Sequence, residues 1–169
     1  LIFLNHGYAN AKAPSKHQSN AVQQLQMSRS VAGQRLEYLL YHPVKSQMAT
    51  KRPVVLFLHG AGERGLNISD TIVHGPIKHR HDNKELLGSY ILVPQCPTDG
   101  WWQPTTLMRL LETVINDPRH HIDADRIYVT GLSMGGYGTW NLIARYPNFF
   151  AAAVPVCGGG KIDSLTITL

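Results

Sequence analysis

An α/β fold built on a largely parallel sheet is what this 169-residue sequence predicts, and three observations predict it. Short runs rich in β-branched and aromatic residues alternate with longer stretches, two of which carry helical patterning. One run, Val54-Val55-Leu56-Phe57-Leu58, is apolar at every position, as in a central strand buried on both faces. Glycines cluster where the strands end, which puts a site above the carboxyl edge of the sheet.

Length and composition fit a single domain with a sizeable core. At 43% hydrophobic and 16% charged residues, the chain reads as a globular domain with a lean charge complement. The formal charge of +5 suggests a basic surface, but no cationic run exceeds Lys51-Arg52 and no aromatics interleave with the cations, so a nucleic-acid partner is not expected. No apolar run approaches the ~20 residues of a membrane span. Residues 1–33 read as leader and linker. Leu1 to Leu4 followed by Ala9-Asn10-Ala11 looks like the end of a secretory signal and its cleavage site, so a secreted or periplasmic protein is expected, with a cytoplasmic one as the alternative. Residues 34–169 hold the domain.

In chain order, Gln34 to His42 reads as the first strand and Pro43 to Arg52 as a polar loop. Val54 to Leu58 is the central strand, ending in His59-Gly60-Ala61-Gly62-Glu63-Arg64-Gly65. Asn67 to His81 is irregular, with a short helix over Thr71 to Lys78 broken by Gly75-Pro76. Ser89 to Val93 is another strand, and the loop after it carries Trp101 and Trp102. Leu107, Leu110, Leu111, Val114 and Ile115 then recur at helical spacing behind Pro104 until Asp117-Pro118. Ala151 to Val156 reads as a last buried strand.

The most informative stretch is RIYVTGLSMGGYGTWNLIARY, Arg126 to Tyr146. A strand runs into Gly131-Leu132-Ser133-Met134-Gly135 and a helix follows. This strand–turn–helix context turns Gly-x-Ser-x-Gly into a nucleophile elbow. Gly131 and Gly135 are glycines because a side chain there would strike the neighbouring strand or helix. The competing reading is an ordinary glycine-rich turn with a capping serine. His79-x-His81 and His120-His121 lack a cysteine or glutamate at ligand spacing and read as solvated loop histidines; no metal or cofactor is expected. Glu63 and Arg64 read as residues that order their loop.

Five segments in one order, LFLHGAGERG, HGP, LVPQCP with a following Trp, RIYVTGLSMGGYGTW, and a strand ending in CGGG, resemble the α/β-hydrolase superfamily. The narrower resemblance is to its esterase branch, with carboxylesterase/phospholipase-like, dienelactone-hydrolase-like and predicted secreted peptidase members. It covers roughly residues 34 to 160. It implies sheet order 1-2-4-3-5-6-7-8, Ser133 as nucleophile, and oxyanion donors at the backbone N–H groups of Met134 and Ala61. Gly60 and Gly62 would let that loop approach, and His59 would brace it structurally. Trp101 and Trp102 would either wall the substrate pocket or cover the core edge. The implied order also separates Cys96 from Cys157 by three strand spacings, about 14 Å against a Cα limit near 7 Å, so both thiols are expected free.

One departure matters. In this fold the acid and the histidine follow the serine, yet the 36 residues after Ser133 contain one acid, Asp163, and no histidine. Two explanations compete, an incomplete piece of a hydrolase with its sheet truncated after the sixth strand, or a short natural form that has lost catalysis; the chain alone is expected to turn over little ester and to associate through its exposed last strand. Three functions stand in competition. A carboxylic-ester hydrolase acting on a small-molecule ester leads; a peptidase or polyester depolymerase of the same fold and a non-catalytic binding module follow. Oligomeric state is left open.

Overall fold

The computed structural model describes residues 24–31, 34–44 and 50–160. Six strands form one sheet in the order β1-β2-β4-β3-β5-β6. They are β1 (Gln24–Val31), β2 (Gln34–Tyr41), β3 (Arg52–Leu58), β4 (Tyr90–Pro94), β5 (Ile122–Leu132) and β6 (Ala152–Val156). The β1/β2 and β2/β4 pairs are antiparallel. The β4/β3, β3/β5 and β5/β6 pairs are parallel. This is the order implied by the family resemblance, as far as six strands reach.

Strand β1 is a correction to the sequence reading. Gln24 to Val31 falls in the stretch taken as linker, because its polar residues hide the strand period. It pairs along its whole length with β2, Gln24 opposite Tyr41 and Val31 opposite Gln34. The expected signal remnant and Asp163 lie outside the described residues. The irregular stretch after β3 forms 3-10 turns at Ile68–Ile72 and Pro76–Asp82, then a short helix α1 (Lys84–Leu87), instead of one broken helix. Asn67 and Asn83 supply the signal that was overlooked, since each side-chain oxygen accepts a backbone N–H of the turn it precedes.

The sheet is buried on both faces because the central strands carry no polar alternation. On one face Leu36, Tyr38, Leu40, Val54, Leu56, Leu58, Tyr90 and Leu92 pack with Leu107, Leu110, Leu111 and Val114 of helix α2 (Pro104–Ile115) and with Leu142 of α3 (Met134–Arg145). On the other, Leu39, Tyr41, Phe57, Ile91 and Val93 close over Ile68. All five residues of β4 are buried, as its central place requires. Arg80, 2% exposed, ties the Pro76–Asp82 turn to this second layer through the carbonyl oxygens of His42, Leu86 and Ser89.

Strand β6 departs from the buried strand read from its composition and matches the exposed last strand that was also expected. Its residues alternate between exposed and half-buried positions, with Val154 59% and Val156 41% exposed. Among the described residues only β5 pairs with it, so an apolar strand stands as a sheet edge. Cys96 is buried and Cys157 exposed, both free as expected. Burial pushes the Cys96 thiol up to about 11, which keeps it protonated at neutral pH.

Candidate active site

The carboxyl ends of β3 and β5 lie side by side, with Leu58 opposite Gly131. The two loops that leave these ends build the site. Strand β5 turns into α3 at Ser133, whose backbone is held at φ 54°, ψ −113°. Few non-glycine residues accept such a conformation, and it stores strain of order 1–3 kcal/mol. Two hydrogen bonds hold it there: the Ser133 N–H donates to the Val156 carbonyl oxygen at 2.8 Å, and the Tyr137 N–H to the Ser133 carbonyl oxygen at 3.1 Å. The Ser133 side chain is exposed and does not cap the helix. The capping-serine reading therefore fails.

The glycines around it divide into two kinds. A methyl group on Gly131 would overlap the Gly135 carbonyl, and one on Gly135 would overlap the Leu58 carbonyl. Both clashes are with backbone, so no side-chain movement relieves them. On the other loop, a methyl on Gly60 would stand 3.0 Å from Glu63 Oε2 and 3.7 Å from Ser133 Cβ. Gly62 is a correction: nothing lies within 4 Å of where its Cβ would be, so close approach does not require glycine there.

Met134 is the first residue of α3, so its N–H lies in the first turn, where helix amides have no intrahelical acceptor and the dipole is positive. Ala61 opens a 3-10 turn, Ala61–Glu63, directly after Gly60. Arg64 fixes this turn by donating to the Ala61 and Gly100 carbonyl oxygens, each at 3.1 Å. Gln95, which sequence reasoning passed over, donates to the carbonyl oxygens of Glu63 and Asn67.

His59 is 1% exposed and both ring nitrogens are engaged by backbone. Nδ1 donates to the Gly60 carbonyl oxygen at 2.7 Å, and Nε2 accepts the Cys96 N–H at 3.0 Å. That pattern requires the neutral ring with its proton on Nδ1, and burial lowers its pKa from the ordinary histidine value. Trp102 completes the brace. Its Nε1 donates to the His59 carbonyl oxygen at 3.1 Å, and its ring meets the imidazole edge-on at 4.8 Å.

The two tryptophans thus part company. Trp102 is 3% exposed and belongs to the core, whereas Trp101 is 48% exposed. Tyr137, missed in the sequence, is 45% exposed and its ring lies 6.2 Å from that of Trp101. Its signal was positional: four residues after Ser133, it falls on the same helical face as the serine. The other histidines lie elsewhere. His120 is not a solvated loop residue, since its ring packs against His42 and Tyr90. Among the described residues no group of three His, Cys, Asp or Glu is placed to hold a metal ion.

The strand order and the strained serine between strand and helix are those of the α/β-hydrolase fold. Comparison with known proteins finds similarity to an esterase and a polyester depolymerase. The model of the prolyl oligopeptidase family matches residues 104–164. A crystal structure of a thermostable esterase superposes with TM-score 0.74 at 33% identity, covering 83% of this chain and 42% of that one. Poly(3-hydroxyalkanoate) depolymerase C of Paucimonas lemoignei is 27% identical over 139 residues, 71% of this chain and 31% of that protein. An uncharacterized secreted protein of Arthroderma benhamiae is 31% identical over 129 residues, 69% of this chain and 13% of its own length. The chain therefore spans less than half of each of these relatives.

Proposed function

We propose that Ser133 is the nucleophile of a carboxylic-ester hydrolase. Its hydroxyl adds to the ester carbonyl, the alcohol leaves, and water hydrolyses the resulting acyl-enzyme. The Met134 and Ala61 N–H groups receive the oxyanion, each such donor being worth about 3 kcal/mol of barrier. The observation that carries this reading is the positive-φ Ser133 at the first turn of α3. Strain of this kind persists only where the surrounding structure enforces it, and here it leaves the hydroxyl exposed to solvent at the start of α3. Trp101 and Tyr137 form the apolar wall for the substrate, while His59 and Trp102 support the loop.

The general base has no candidate in contact with Ser133 among the described residues. His59 is excluded because both its nitrogens are spent. The resemblance to a polyester depolymerase supports a second reading, in which the exposed Trp101–Tyr137 pair meets a polymer chain instead of a small ester. Export is proposed from the apolar N-terminal residues; among the described residues no helix is long and apolar enough to cross a membrane. Hydrolysis of p-nitrophenyl acetate and of a polyhydroxyalkanoate film, compared between the protein and Ser133→Ala, tests both readings. Turnover that survives Ser133→Ala contradicts them.

A further inference from the structure

The turn that offers the Ala61 N–H also carries an acid. Glu63 ends the Ala61–Glu63 turn and its side chain is 15% exposed. One point, the place of a methyl on Gly60, lies 3.0 Å from Glu63 Oε2 and 3.7 Å from Ser133 Cβ. The carboxylate oxygen and the nucleophile's Cβ are thus no more than about 7 Å apart, well inside the ~8–10 Å screening length of physiological salt.

Little neutralises this charge. The neighbouring Arg64 points its guanidinium at the carbonyl oxygens of Ala61 and Gly100. Among the described residues, the basic group in ion-pair range is His74, whose Nε2 is 3.8 Å from Glu63 Oε1 and whose side chain is 54% exposed. A carboxylate beside an oxyanion hole opposes the negative charge that develops there. It hinders an uncharged ester, and it becomes an advantage when the substrate brings a positive charge to the same place.

We propose that Glu63 is a specificity-determining residue that favours esters with a cationic group close to the scissile carbonyl over their uncharged isosteres. The proposal rests on the hydrolase reading given above. Coulomb attraction at this separation, reduced by partial exposure and salt, corresponds to a preference of about tenfold. Glu63→Gln removes it.

Acetylcholine and 3,3-dimethylbutyl acetate share one shape and differ by one charge, so their kcat/KM ratio reads the effect directly. The expected ratio is about ten, declining with added salt and falling to about one in Glu63→Gln. The variant's turnover of the uncharged ester should rise, because a charge opposing the oxyanion has gone. A ratio near one in the unsubstituted protein, or both esters losing turnover in proportion in Glu63→Gln, overturns the proposal. If neither ester is hydrolysed and a fluorophosphonate does not label Ser133, the hydrolase reading fails instead. Binding of the two esters, followed by shifts of the Gly60 and Ser133 amide resonances, then decides Glu63 independently: tighter acetylcholine binding lost in Glu63→Gln supports the proposal, and equal binding overturns it.

Discussion

At Ser133 and its neighbours, a few backbone contacts decide what the sequence can tolerate. Gly135, two residues after Ser133, is a glycine because the Leu58 carbonyl occupies the space a methyl would need. Gly135→Ala is predicted to cost more than about 4 kcal/mol, or to prevent folding, because backbone cannot yield to backbone. Gly62→Ala meets open space and no positive φ, and should change stability by no more than about 1 kcal/mol, with a gain if unfolded-state entropy dominates. Urea unfolding of the two variants checks the contrast; equal losses would contradict the steric account. The elbow glycines were legible because their spacing around a serine has one steric explanation. The redundancy at Gly62 was not legible, because a Gly-rich string does not show which of its members touches anything.

Among the elements, the braced loop after β3 and strand β6, which pairs with β5 alone among the described residues, carry the sharpest expectations. Trp102→Phe keeps an aromatic ring against His59 but removes the N–H that reaches the His59 carbonyl. Leaving that buried acceptor unpaired costs about 1–3 kcal/mol. If the loop positions the Ala61 donor, kcat should fall more than KM rises; the opposite split would contradict a positioning role. The divergence of Trp101 from Trp102 could not be read from an adjacent pair, since their burial depends on which one faces His59. The helices were plain in the sequence because apolar spacing survives in α2 and the elbow announces α3. Strand β1 was hidden because its polar residues mask the alternation of an edge strand. Strand β6 was read as buried from its composition, yet Val154 and Val156 stand exposed. Val154→Lys should reduce concentration-dependent association measured by light scattering, as a charge on an open edge does. Unchanged association would show that β6 is not the contact.

For the molecule as a whole, two buried imidazoles set the acid side of stability. Burial lowers the pKa of His59 and of His42, the latter helped by His120 and Arg80. The unfolded chain therefore binds more protons than the folded one as pH falls through the ordinary histidine range near 6.5. Stability should be fully present above that range and decline below it, by up to about 1.4 kcal/mol per pH unit for each group. Thermal unfolding between pH 7.5 and 5 checks this, and a flat profile in that window would contradict the two neutral rings. The sheet order was implied by the resemblance to the α/β-hydrolase superfamily, and the elbow between β5 and α3 was legible in the strand–turn–helix pattern around Ser133. The burial of His59 and the reach of Glu63 toward Ser133 were not, because both depend on contacts between loops distant in sequence. The central claim is that Ser133 is a nucleophile, and covalent labelling tests it most directly. A fluorophosphonate probe applied to the folded protein isolated from its natural source should form one adduct in the peptide Ile127 to Arg145, at Ser133, and Ser133→Ala should abolish it. No adduct on that peptide, or an adduct that persists in Ser133→Ala, would contradict the account.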